Sequence, residues 1–142
     1  DLSAPSRKGL DRSYILPMIL GVGTDLVSIE RIARFCDRHG ERGLRRVFTP
    51  AELEYCLALA RPAPSLAARF AAKEAFFKAI GTGVGPGGRW IDAEVVRAGS
   101  GRPALRLHGR AALLARRRHV RRVHLSVSHT DDHALAFVIL ET

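Results

Sequence analysis

Two rhythms of apolar residues alternate along the chain. From Ile19 to Val27 (ILGVGTDLV) a nearly unbroken apolar run predicts a buried strand, in which Gly21 and Gly23 leave room for a neighbouring backbone. From Ile29 the spacing becomes helical, with Ile29, Ile32, Ala33 and Cys36 sharing a face. Thr49-Pro50-Ala51-Glu52 is a capping box with proline at the first helical position. The short helix it opens turns Leu53, Cys56, Leu57 and Ala60 inward and is predicted to end at Arg61-Pro62-Ala63-Pro64. The longest uninterrupted pattern comes next, Leu66 to Ile80, with Ser65 as its N-cap and Gly81 as its stop.

Wound at 3.6 residues per turn, that segment carries Leu66, Phe70, Phe77 and Ile80 on one side. Ala67, Ala68, Ala71, Ala72, Ala75 and Ala79 fall on the other, where another backbone can approach closely. Both faces suit packing, so this is expected to be the central helix. Its charges lie on the borders between the faces. Glu74 and Lys78 are spaced i,i+4 on one border, as an intrahelical salt bridge or as an opening toward an anionic ligand. Arg69 and Lys73 lie on or beside the other border.

After the glycine-rich loop Gly81 to Gly88 the pattern turns to strands: Trp90 to Val96, Ala104 to His108, Val123 to His129, and the nearly continuous apolar run Ala134 to Leu140. A further helix is predicted over Arg110 to Arg118. The result is a single α+β domain, a small antiparallel sheet packed around a central helix. Residues 1–17 show no periodicity and are read as a disordered leader or added extension, with the domain over 18–142 and Met18, the only methionine, as the expected natural start.

Composition narrows the class. At 142 residues and 46% hydrophobic content the chain can bury a core, while no apolar run reaches the length of a membrane span and the first residues lack the apolar centre of a signal peptide. A cytoplasmic protein with no membrane partner is expected. Cys36 and Cys56 have neither metal-site nor redox spacing and read as buried thiols. The net charge of +9 asks for a polyanionic partner without choosing among nucleic acid, a membrane surface, a phosphorylated ligand and an acidic protein.

Candidate chemistry is spread over several segments. Five glycines among the eight residues after Ile80 can bring bare backbone N–H groups to phosphate oxygens, or simply make a flexible loop; the spacing matches neither the dinucleotide-binding fingerprint nor the P-loop. Asp25, near the end of its strand, is a turn or cap residue or a ligand. His129 shares the parity of Val123, Leu125 and Val127 and stands beside a turn, as a structural hydrogen-bond partner or a functional group. Arg31, Arg34 and Arg38, followed by Arg42, Arg45 and Arg46, make a solvated basic face or a docking surface for an acidic helix. A basic nucleic-acid-binding module is the rival reading, carried chiefly by the arginines at 116–118, 121 and 122, although the chain has no aromatic-rich or zinc-finger signature.

Six short motifs then fall into one order. They are G-x-D at Gly23 to Asp25, R-F-A-A-K-E-A-x-x-K-A at Arg69 to Ala79, G-T-G-x-G from Gly81, W-x-D-x-E-V from Trp90, G-x-P from Gly101 and S-x-S-H-T from Ser126. Together, over Met18 to Leu140, they resemble the holo-[acyl-carrier-protein] synthase family, the short 4'-phosphopantetheinyl transferases. The resemblance implies Mg2+-dependent transfer of the phosphopantetheine arm of coenzyme A to a serine of an acidic apo acyl carrier protein, with release of 3',5'-ADP, for fatty acid and other lipid biosynthesis. It implies homotrimers with active sites between neighbours and no nucleic-acid partner. By motif position, Asp25 and Glu74 match the magnesium-binding acids, and Glu74, or else Asp25, is the candidate base. Lys78 matches the lysine that would face the departing phosphate. Gly81, Gly83 and Gly85 match the loop near coenzyme A, and Ser128 and His129 the segment near its phosphates. Arg69 and Lys73 bind nucleotide phosphate or hold the fold. Arg31 matches a docking residue by its spacing from Asp25. Arg42, Arg45 and Arg46 follow it across a one-residue length difference, and Ala93 stands where a larger apolar residue is usual.

Overall fold

The computed structural model describes residues 16–142, so the expected leader lies, apart from Leu16 and Pro17, outside the described residues. The chain runs β1 (Ile19–Ser28), α1 (Ile29–Val47), α2 (Pro50–Leu57), α3 (Pro62–Ile80), a 3-10 turn (Trp90–Asp92), β2 (Ala93–Arg97), β3 (Pro103–Leu107), α4 (Gly109–Arg117), β4 (Arg122–His129) and β5 (His133–Glu141). This is the expected α+β arrangement around a central helix. The strands divide, however, into a three-stranded antiparallel sheet of order β1-β5-β4 and a separate β2-β3 hairpin.

α3 is central because small side chains let its neighbours close in. Ala67, Ala71, Ala72, Ala75 and Ala79 are buried alongside Leu66, Phe76, Phe77 and Ile80. β1 crosses the alanine side: a methyl group on Gly21 would overlap the carbonyl of Ala79, and one on Gly23 the carbonyl of Ala75. This contact fixes where Asp25, two residues further along β1, stands against the helix. Gly23→Ala is expected to cost about 1–3 kcal/mol by overpacking, read as a lower urea midpoint; an unchanged midpoint would mean that strand and helix can separate freely.

Several boundaries differ from the sequence reading. Prolines are tolerated in a first helical turn because the N–H groups there have no intrahelical partner, so Pro62-Ala63-Pro64 opens α3 instead of ending α2. Arg61 is the N-cap, and Ser65 is not; its hydroxyl instead accepts a hydrogen bond from Arg69 Nη1 at 2.6 Å and lies 3.3 Å from Cys56 Sγ. α2 stops at Leu57, which leaves Leu57 and Ala60 exposed. Trp90 to Asp92 forms a turn because Asp92 Oδ2 accepts from the Arg89 N–H at 2.9 Å, so the strand begins only at Ala93. Cys56 is buried but Cys36 only half-buried; both are free, and burial is the main force pushing their thiols up, away from the reactive thiolate.

Strand alternation also corrects two readings. In β5 only Ala134, Ala136, Val138 and Leu140 face the core. β1 is likewise buried on one face only, leaving Leu20, Val22 and Leu26, with Leu135 and Phe137 of β5, on an exposed apolar outer face.

A buried ion pair ties the remaining pieces together. Lys73 and Glu52 are 0% and 2% exposed. Lys73 Nζ donates to Glu52 Oε1 at 2.7 Å, to the Ala93 carbonyl at 2.8 Å and to the Trp90 carbonyl at 3.2 Å. Glu52 Oε1 also accepts from the Thr49 N–H at 2.9 Å, closing the capping box, and Oε2 accepts from the Val95 N–H at 3.1 Å. Burial pushes the Lys73 ammonium below its ordinary value, more than the neighbouring carboxylate draws it up. Of its two readings, Lys73 takes the structural one, since a side chain with no exposed surface meets no nucleotide.

Candidate active site

β1 and α3 bring Asp25 and Lys78 together. Lys78 Nζ donates to Asp25 Oδ1 at 2.9 Å and to the Thr24 carbonyl at 3.1 Å. The Asp25 side chain is 15% exposed and that of Lys78 53%, so the carboxylate is sheltered while the ammonium still reaches solvent. Glu74, one turn before Lys78, does not form the intrahelical bridge that its spacing allows. Its Oε1 accepts instead from Trp90 Nε1–H at 2.7 Å. Two acids and one ammonium thus line one border of α3, each held by a different element.

This donor set suits a hard cation. Oδ2 of Asp25 and Oε2 of Glu74 take part in no hydrogen bond among the described residues. Among the described residues no three acids, histidines or cysteines cluster. Mg2+ commonly takes one or two carboxylates and completes its octahedron with waters and substrate phosphates, so Asp25 and Glu74 fit that ion without a third protein acid.

The glycine loop uses its glycines differently from the predicted phosphate cradle. The Gly81 N–H donates to the Phe77 and Lys78 carbonyls, that of Gly83 to Phe77, and that of Gly85 to Gly88. Gly83 and Gly85 have φ of 70° and 100° with open space around them, so they are needed for the backbone path. A helical rise of about 1.5 Å per residue puts Gly81 roughly 10 Å beyond Glu74.

The other predicted contacts stand apart from this border. Arg69 leaves α3 on the opposite border, its guanidinium 4.6 Å from the Tyr55 ring and its buried Nε without a hydrogen-bond partner. It lines a small cavity of about 150 Å³ with Arg97, Gly101, Pro103 and Val127. Ser128 and His129 end β4, two strands and therefore about 10 Å from β1. His129 is exposed, with Nδ1 3.4 Å from the Thr130 carbonyl. Asp25 and Lys78 thus pair directly, with Glu74 one helical turn away on the same border, and Arg69, Ser128 and His129 do not join them.

Arg31, in the first turn of α1, is exposed. With Arg46 it rims a groove of about 360 Å³ whose apolar wall includes Ile32, Phe35, Phe70 and Trp90. Arg42 is exposed, and Arg45 pairs with Glu41 at 3.6 Å on the same solvated surface. Arg45 and Arg46 also border a second groove with Arg89, Arg110 and the glycines at 85 and 88. Two contributors escaped the sequence reading. In the sequence Glu52 reads as a capping residue only, because its burial has no local signal. Trp90 reads as the start of a strand, although a single tryptophan following an acid-bearing helix is a signal that points to it.

Residues 21–138 match the family model of the 4'-phosphopantetheinyl transferase superfamily. The chain is 53% identical over 124 residues to the holo-[acyl-carrier-protein] synthase of Koribacter versatilis, covering 87% of this chain and 99% of that protein. Its fold is similar to the crystal structure of the Neisseria meningitidis holo-[acyl-carrier-protein] synthase, with a TM-score of 0.82 and 37% identity over 88% of this chain and all (100%) of that one. It is also similar to the Bacillus anthracis synthase solved in complex with CoA (3',5'-ADP), with a TM-score of 0.72 and 35% identity over 88% of this chain and 98% of that one. The border of α3 that carries Glu74 and Lys78, with Asp25 of β1 set against it, is therefore the candidate active site of a chain that belongs to the holo-[acyl-carrier-protein] synthase family.

Proposed function

We propose that this chain transfers 4'-phosphopantetheine from coenzyme A to a serine of an acidic apo acyl carrier protein in a Mg2+-dependent reaction, in the cytoplasm and in the service of lipid biosynthesis. The observation that carries the proposal is the pairing of Asp25 with Lys78 one helical turn from Glu74, whose hydrogen-bond donor Trp90 lines a groove rimmed by Arg31 and Arg46. The complex of the Bacillus anthracis relative with CoA (3',5'-ADP) supports the choice of cosubstrate.

The chemistry balances on these residues. The serine oxygen bonds to the phosphorus that carries pantetheine, the pyrophosphate P–O bond breaks, and 3',5'-ADP leaves. Glu74, directly or through a water, accepts the hydroxyl proton, with Asp25 as the other candidate. Lys78 faces the departing phosphate and offsets its charge. Mg2+ held by Asp25 and Glu74 would supply charge neutralisation at the pyrophosphate oxygens.

Assembly completes the site in this reading. The exposed outer face with Leu20, Val22, Leu26, Leu135 and Phe137 supports burial against further copies in a homotrimer. Coenzyme A laid along the active border of one copy would then meet Arg69, Ser128 and His129 of the next. The Gly81, Gly83 and Gly85 backbone would bound the cosubstrate by its shape, since their N–H groups are engaged within the protein.

Intact-mass spectrometry of an apo acyl carrier protein incubated with the protein and CoA tests the proposal. The expected result is a phosphopantetheine gain with Mg2+ and none with EDTA, and a rise of about tenfold in KM for the carrier in Arg31→Glu as an attractive pair becomes repulsive. No gain with several carriers, together with salt-sensitive binding of nucleic acid unaffected by Glu74→Ala, would favour the basic binding module instead.

A further inference from the structure

The Glu74 carboxylate stands on a half-exposed helix surface, where a side chain with this many rotatable bonds would ordinarily sample several rotamers. One contact limits it, the 2.7 Å hydrogen bond from Trp90 Nε1–H to Oε1. That distance lies at the short end for N–H···O, as charge-assisted bonds do. The indole is in turn anchored from outside the site. Lys73 Nζ donates to the Trp90 carbonyl at 3.2 Å, Phe70 packs with ring centroids 6.2 Å away, and Asp92 closes the turn through the Arg89 N–H. The buried ion pair therefore reaches the active border through a single residue.

We propose that Trp90 is a positioning residue: its indole N–H fixes one oxygen of Glu74 and leaves the other to the reaction. The inference rests on the role given to Glu74 above. The same indole lines the groove rimmed by Arg31 and Arg46, so a carrier seated there would touch the residue that orients the carboxylate.

Trp90→Phe keeps an aromatic ring for packing and removes the donor. Its kcat is expected to fall about tenfold, the worth of one hydrogen bond to a charged group, while KM for CoA and for the carrier and the melting temperature hold. An unchanged kcat, or a loss seen only in KM or in melting temperature, would overturn the proposal. A second measurement uses the protein with its indole intact. Trp90 is the only tryptophan, so emission excited beyond the tyrosine band reports on the surroundings of this one indole. Glu74→Gln is expected to shift the emission maximum, because the charge facing the indole nitrogen is gone; identical spectra would mean that the contact does not form in solution. The two ideas fail separately. Full activity in Glu74→Gln sinks the role of Glu74 itself, whereas an inactive Glu74→Gln beside a fully active Trp90→Phe sinks only the positioning.

Discussion

Glu74→Gln is expected to lower the transfer rate by about 10²–10⁴-fold, the usual worth of a positioned general base. The substitution keeps size, shape and a carbonyl oxygen that can still accept from Trp90 Nε1–H, so the side chain should stay where it is. What disappears is the negative charge, and with it both the proton acceptor and one of the two proposed carboxylate ligands. Because Glu74 is only half-buried and no buried cation depends on it, the melting temperature should hardly move. Asp25→Asn is the companion experiment. It replaces the charged partner of the Lys78 ammonium by a neutral amide oxygen beside the Thr24 carbonyl, loosening that side chain's hold on the border, and should also lose Mg2+-dependent turnover. Single-turnover rates over a Mg2+ titration would separate the effects, since a lost ligand raises the metal requirement and a lost base does not. Full activity in both variants would remove the metal and base assignments together.

The second large effect is on stability. Lys73→Met is expected to cost about 3–5 kcal/mol, because it strands a fully desolvated carboxylate. Glu52 would keep the Thr49 and Val95 N–H groups as donors but lose its counter-charge, and the Trp90 and Ala93 carbonyls would lose a donor. Against a typical domain stability of about 5–15 kcal/mol this is a large fraction. Urea unfolding of Lys73→Met, of Glu52→Gln and of the double variant forms a thermodynamic cycle. The double variant should recover much of the loss, since neither charge is then left alone in the interior. A Lys73→Met protein as stable as the parent would show that the pair is open to water.

Much of the architecture was legible because local physics and tertiary packing agree. The alanine side of α3 and the glycines of β1 announce a close backbone approach, and the structure uses both for the same contact. The Thr49 capping box and the Gly81 stop are local signals that need no other part of the chain. Disagreements arise where distant residues decide. Pro-Ala-Pro is equally good punctuation after one helix and before the next, and the chain places it in the first turn of α3, where Ser65 packs back on Cys56. Lys73 and Glu74 are adjacent in sequence, yet one is sealed in the core and the other lies at the active border. A helical wheel places them 100° apart without saying that Glu52 waits on one side and Trp90 on the other. Arg69, Ser128 and His129, which stand apart from the Asp25–Lys78 border, carried a functional signal only through motif order, which no periodicity contains.

The pairing of β1 has a consequence for how the chain is made. Among the described residues β1 lies at one edge of its sheet and pairs with β5 alone, with Ser28 opposite His133. About a hundred residues separate these partners, which at ordinary synthesis rates is on the order of ten seconds. During that interval α3 can emerge and offer its alanine side, but the hydrogen-bonding edge of β1 has nothing to close against. The nascent protein therefore carries an apolar, unzipped strand until residues 133–141 have been made. Until then that strand depends on α3, the ribosome surface or a chaperone for its shielding.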